Sequence, residues 1–193
     1  HYETSNTLIY PTPQQVRYVR LHVLKPSYGV FGVACIVEFE VWGYAGTASA
    51  IRFEAEDYGS GLNATSGSDF YDTTPGNSGG KYRSQDVDIE SCSEGGFDVC
   101  HTAAGEWLKY PLKGGGAFRF SIRYAGTSAG TCHLEVDGVN VTGTVNLPAS
   151  GGGQIWRTAT GPEITLPDGK HALKFVEDSG GYSIDYFLLE PRE

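Results

Sequence analysis

Short apolar runs at 87–90, 106–110, 118–124, 133–136, 163–166, 171–176 and 184–189, separated by glycine, proline and Asp-Gly turn signals, confine this chain to the all-β class. Each run is too short for a stable helix, and the 27 glycines and 9 prolines leave few stretches of helix formers. Asp137-Gly138 and Asp168-Gly169 have the composition of hairpin turns. The expected architecture is a β-sandwich of jelly-roll type, two antiparallel sheets packed face to face.

The small-residue stretch 43–50 reads as a linker, dividing the chain into residues 1–46 and 47–193. In the first segment, 16–23 and 34–42 read as two strands, which cannot fold alone in water. That segment holds three basic groups (Arg17, Arg20, Lys25) and three acidic ones (Glu3, Glu38, Glu40), so the net charge of −9 falls on the rest. An acidic surface repels phosphate backbones, and no basic patch interleaved with aromatics is present, so no nucleic acid partner is expected. No apolar run approaches the roughly 20 residues of a membrane span. The absence of Met and the start at His1 fit a mature or excised piece of a longer, secreted and extracellular precursor.

Of the four cysteines, Cys35, Cys92, Cys100 and Cys132, none has the paired spacing of a zinc site. Cys92 and Cys100 flank a glycine-bearing segment and make the most natural disulfide, while four buried thiols are the alternative. Glu54 and Glu56, spaced i, i+2 on an expected strand over 51–56, project from one face. With Asp185 on the last strand they form a candidate Ca2+ site that ties the start of a domain to its end.

Residues 17–21 and 36–43 resemble the closing strands of a discoidin-type domain, the sandwich shared with family 32 carbohydrate-binding modules. Residues 50–191 resemble a family 6 carbohydrate-binding module. The motifs are Phe53-Glu54-Ala55-Glu56-Asp57-Tyr58, Gly80-Lys81-Tyr82-Arg83 with Val87-Asp88-Ile89-Glu90, Gly105-Glu106-Trp107-Leu108-Lys109-Tyr110, Gln154-Ile155-Trp156 and Ser183-Ile184-Asp185-Tyr186-Phe187.

That resemblance implies a structural calcium on Glu54, Glu56 and Asp185, with a main-chain carbonyl near Arg83 as a further ligand. It also implies a loop cleft in which a pyranose is held between aromatic rings. Trp156 stands at one ring position; His101 stands where the family has Tyr or Trp, and Ser183 where it has a hydrogen-bonding Asn. Tyr182 is a possible replacement ring, although strand alternation sends it to the opposite face. Trp107 matches a second site on the concave sheet face, with Glu106 and Lys109 at hand for hydroxyls. Asn63 and Asn140 begin glycan-acceptor tripeptides, to which the bacterial source expected for such a modular arrangement assigns no role.

The expected function is a non-catalytic carbohydrate-binding module, covalently linked to catalytic and binding domains in a secreted polysaccharide-degrading enzyme. Its expected ligand is a polysaccharide, a 1,3-linked glucan foremost. A structural or adhesive domain with a degenerate sugar site is the alternative. A glycoside hydrolase in its own right ranks below both, because no catalytic constellation is visible.

Overall fold

Two long strands carry the fold. β5 (Trp107–Gly126) and β9 (Gly152–Glu177) pair antiparallel along their whole length, from Trp107 opposite Val176 to Gly126 opposite Gly152. Around them stand β1 (Ile51–Glu54), β2 (Phe70–Tyr71), β3 (Ile89–Ser91), β4 (Phe97–Val99), β6 (Gly130–Val136), β7 (Val139–Asn140), β8 (Val145–Leu147) and β10 (Tyr182–Pro191). A short 3-10 turn, Ala55–Asp57, follows β1, and no α-helix occurs among the described residues. This computed structural model describes residues 50–59 and 61–192. The chain divides into two units, His1–Ala48 and Ser49–Glu193. The expectations for residues 1–46, including their two strands, the discoidin-type likeness and Cys35, lie outside the described residues.

The strand order is β3-β4-β10-β5-β9-β6-β7, with β1 on β10, β2 on β5 and β8 on β6. Every named strand pair is antiparallel. The expected β-sandwich is present, and its two layers are continuous through the β5–β9 pair. In one layer the C-terminal half of β5 lies beside β10, which in turn pairs with β1; in the other its N-terminal half lies beside β2, with β6 on the matching half of β9.

The bend between layers falls where the register slips, between Gly114 opposite Gly169 and Gly116 opposite Leu166. A side chain at Gly115 would lie 2.2 Å from Asp168 Oδ1 and 2.6 Å from its Cα, so only glycine lets the two strands turn together. Asp168-Gly169 is therefore a bend inside β9, contrary to the expected hairpin turn. Runs 163–166 and 171–176 belong to one strand, as do 106–110 and 118–124. Asp137-Gly138 does form the expected two-residue hairpin, with φ of +51° and +83°, joining β6 to β7.

The alternation of β5 buries Leu108, Tyr110 and Leu112 in one layer and Phe118, Phe120 and Ile122 in the other. Phe187 stacks on Phe53 at 5.0 Å and on Phe175 at 5.6 Å, and meets the edge of Tyr110 at 5.0 Å. These contacts join β1 and β10 to β5 and β9 across the interlayer space. The Tyr110 hydroxyl donates to the Ala55 carbonyl at 2.7 Å, which satisfies its polar tip inside the core.

Two buried carboxyls meet where β5 begins and β9 ends. Glu106 accepts from Thr73 N (2.9 Å), Thr73 Oγ1 (2.6 Å) and Ala103 N (2.7 Å), pinning two loops to the start of β5. Glu177, 1% exposed, pairs with it through the backbone. Burial first, then the charge of Glu106, pushes the Glu177 carboxyl well above the usual range, which favours its neutral form; its Oε2 has no hydrogen-bond partner.

Phe187→Ala removes the ring that joins the layers and is expected to cost about 3–5 kcal/mol in chemical denaturation. A buried acid with a raised folded pKa loses stability as pH rises from the unfolded value of about 4.3 toward the folded one. Glu177→Gln should accordingly melt above the parent near neutral pH, with the gap closing below about pH 4. A gap independent of pH would mean that Glu177 is not the group responsible.

Candidate functional site

A pocket of about 220 Å³ opens at one end of the first layer, lined by residues that include Glu90, His101, Ala125, Gly153, Tyr182 and Ser183. Register explains the convergence. Ser183 on β10 lies opposite Ala125 on β5, which lies opposite Trp156 on β9, so the three share one row on the outward face. His101 follows β4, the strand next to β10 on the other side. His101 and Trp156 thus stand on either side of Ser183 and Ala125.

The β3–β4 turn lies across this face. Ser93 donates its N–H to Gln154 Oε1 at 2.8 Å and its hydroxyl accepts from Trp156 Nε1 at 3.0 Å, while Glu94 pairs with Arg123. Trp156 is half-buried, and its N–H is committed to anchoring the turn. His101 adopts φ +52° in the left-handed region, and its exposed ring lies 3.1 Å from Ser78 Oγ and 3.8 Å from Asp88 Oδ2. Ser183 is buried at the floor.

Tyr182 lines the pocket but offers no stacking face. Its side chain is turned into the core, with the hydroxyl donating to Thr131 O at 3.3 Å, and a Cβ on Gly130 would lie 2.5 Å from its ring. A replacement ring there is thus corrected by the alternation of β10 itself. The expected Cys92–Cys100 disulfide is also corrected: Cys92, Cys100 and Cys132 are free thiols. Cys92 sits at the closed end of the β3–β4 hairpin, bonded to Gly96, and Cys100 at the open end, bonded to Asp88. The intervening rungs hold them roughly 13 Å apart, beyond the reach of a disulfide. Burial pushes the Cys100 thiol up to about 12, which leaves it unreactive.

Three residues to which sequence reasoning gave no role lie at or beside the pocket. Glu90 and Asp98 are directly opposite on β3 and β4, and Gln154 Nε2 donates to both, at 2.9 Å and 3.1 Å. Acidic residues on both sides of the glycine-bearing turn were the available signal, but only the register pairs them.

The outward face of the second layer carries Trp107 between two lysines, with Lys109 Nζ 5.4 Å and Lys174 Nζ 5.0 Å from its ring centre. Tyr71 lies opposite Trp107 on β2 and is exposed. Trp107 and Lys109 share this face as alternation predicts. Glu106 does not join them, since its carboxylate is consumed inside the fold by Thr73 and Ala103.

The candidate metal ligands are arranged differently from the strand reading. β1 ends at Glu54 and the chain enters the 3-10 turn, so Glu54 and Glu56 are not same-face strand neighbours. Glu54 faces Arg52, with Nε to Oε1 at 2.6 Å and Nη2 to Oε2 at 3.0 Å. Glu56 is buried with Oε2 unpartnered, and burial first, then the charges of Glu54, Asp57 and Asp185, pushes its carboxyl up to about 7. A β-bulge between Ile184 and Tyr186 re-aims Asp185, whose carboxyl burial raises to about 6.

No three His, Cys, Asp or Glu side chains among the described residues are close enough to share an ion. The orphaned Glu56 oxygen and buried Asp185 suit a hard cation; Glu54 would have to leave Arg52 to join them. The Arg83 guanidinium donates to Tyr58 O at 2.8 Å, and the Arg83 carbonyl accepts from Asn77 Nδ2 at 2.9 Å.

No helix among the described residues is long and apolar enough to cross a membrane. Comparison with curated proteins finds no match. Among solved structures, the chain is similar to the C-terminal module of LamC, a marine laminarinase from Zobellia galactanivorans (24% identity, TM-score 0.55, 74% of this chain and 99% of that one). It is similar to a module of lichenase 5A from Cellvibrio mixtus in complex with cellotriose (24%, 0.54, 74% and 98%). A β-1,3-glucan-binding module from Bacillus halodurans is a further likeness (20%, 0.52, 72% and 95%). These likenesses establish the fold. The model of carbohydrate binding module family 6 matches residues 78–191, more than half of the chain, and the chain belongs to that non-catalytic family.

Proposed function

We propose that this module binds a polysaccharide, a 1,3-linked glucan foremost, and keeps covalently linked catalytic and binding domains of a secreted, extracellular enzyme on that polymer. The observation that carries the reading is the pocket lined by His101, Ser183 and Glu90, next to the row in which Ala125 lies opposite the half-buried Trp156. A linked weak binder raises local concentration by avidity, without chemistry of its own. The LamC module and the Bacillus halodurans module support the choice of 1,3-linked glucan. Glu90 and Asp98 share one amide from the same side, so they do not flank a scissile bond as a glycosidase pair must.

A structural or adhesive role is the second reading. The Trp156 N–H is engaged by Ser93 and Tyr182 faces the core, which leaves fewer free rings than a full sandwich needs. Mutation separates the two. Trp156→Ala should lose most affinity for an insoluble 1,3-glucan in a pull-down, and His101→Tyr should keep or raise it by enlarging the platform. Normal binding by Trp156→Ala, with failure of Trp107→Ala, would move the working site to the Trp107 face.

Calcium held by Glu54, Glu56 and Asp185, with the Arg83 carbonyl, belongs to the same proposal, supported by the orphaned Glu56 oxygen. Ion binding to the folded state alone adds about 2.7 kcal/mol at a hundredfold excess over Kd. EDTA should therefore lower the melting temperature. An unchanged melt together with no calcium in elemental analysis would remove the ion from the account.

A further inference from the structure

Glu90 lines the pocket, and its cross-strand partner Asp98 is wholly buried beside it, so the negative charge here is unbalanced. Glu90 and Asp98 face each other across β3 and β4, an arrangement that is destabilising unless something intervenes. Gln154 does so with a single amide nitrogen, whose two hydrogens are divided between the carboxylates. Asp98 is 0% exposed, and its Oδ2 has no hydrogen-bond partner. Burial pushes this carboxyl up to about 6, with Glu90 and Asp185 adding to the push. No lysine or arginine lines the pocket among the described residues, and Arg123 nearby is engaged by Glu94.

A ligand that completes this floor must bring donors and positive charge. A sugar hydroxyl brings one donor along with lone pairs that face a carboxylate. An ammonium group brings three donors and no acceptor, and its hydrogen bonds to carboxylates are charge-assisted. The Gln154 amide stands between the two acids, so a bare metal ion does not fit there. Building on the carbohydrate-binding reading, we infer that the pocket selects an amino sugar, with a glucosamine- or galactosamine-type ammonium directed at Glu90 beside Ser183 while the buried Asp98 adds to the negative field.

Calorimetric titration near neutral pH with three oligomers tests this: a fully deacetylated glucosamine trisaccharide, its N-acetylated counterpart and a 1,3-linked glucan trisaccharide. The deacetylated oligomer should bind about tenfold or more tightly than the other two and should be the one weakened by added salt. Glu90→Gln and Asp98→Asn should each reduce that preference, with circular dichroism confirming that the variants are folded. Glu190→Gln, at the far end of β10, controls for diffuse attraction to an acidic chain. Equal or tighter binding of the glucan or acetylated oligomer overturns the inference and leaves the carbohydrate reading standing. So does a preference that survives both pocket variants or falls equally in Glu190→Gln. Binding of none of the three, together with failure on insoluble polysaccharides, overturns both.

Discussion

The β5–β9 ladder is the constraint on which the rest of this module depends. Because one hydrogen-bonded pair runs through both layers, the sandwich is closed by backbone pairing at its corner as well as by apolar packing across its middle. That continuity demands a shared bend, and the bend demands a residue without a side chain where β5 crosses Asp168. Phe187 then has a defined space to fill, since the layers that carry Phe53, Tyr110 and Phe175 are already held in register.

The same ladder positions the pocket. Ala125 and Trp156 are partners within it, and β10 adds Ser183 to their row through its own pairing with β5. The β3–β4 hairpin is too short to form a stable sheet edge by itself, with three residues in each strand. It is held by one rung to β10 and by side-chain bonds to β9 and β5. The wall of the site is therefore built from polar anchoring, and the sheet beneath it from backbone pairing and apolar contact.

Buried carboxyls recur through the domain, at Glu56, Asp88, Asp98, Glu106, Glu177 and Asp185. They are handled in different ways. Glu106 is satisfied by three donors from two loops, while Glu177, with Oε2 unpartnered, is pushed by burial toward its neutral form. Asp98 is half-satisfied by an amide, and Glu56 keeps an orphaned oxygen. A buried acid without a full set of donors is costly, and of the three incompletely served ones Glu56 and Asp98 lie nearest the places where an ion or a ligand has something to offer.

The all-β class, most of the strands and the Asp137-Gly138 hairpin were legible in the sequence, because period-two alternation and turn chemistry are local properties. So was the outward placement of Trp107 with Lys109, which follows from alternation alone. The short strands β2, β7 and β8 were not legible, since two or three residues carry no period. Nor was the fusion of separate runs into β5 and β9, where Asp168-Gly169 satisfies turn composition while long-range pairing on either side keeps the bend inside one strand.

The pocket itself was decided by tertiary structure. His101, Ser183 and Trp156 are visible as candidates, but the opposition of Glu90 to Asp98 and the reach of Gln154 between them exist only once the hairpin is in register. The bulge at Asp185 and the turn that separates Glu54 from Glu56 likewise depend on how β1 and β10 pair. Local sequence determined which residues could lie on a face; the balance of long-range hydrogen bonds and packing determined which faces meet.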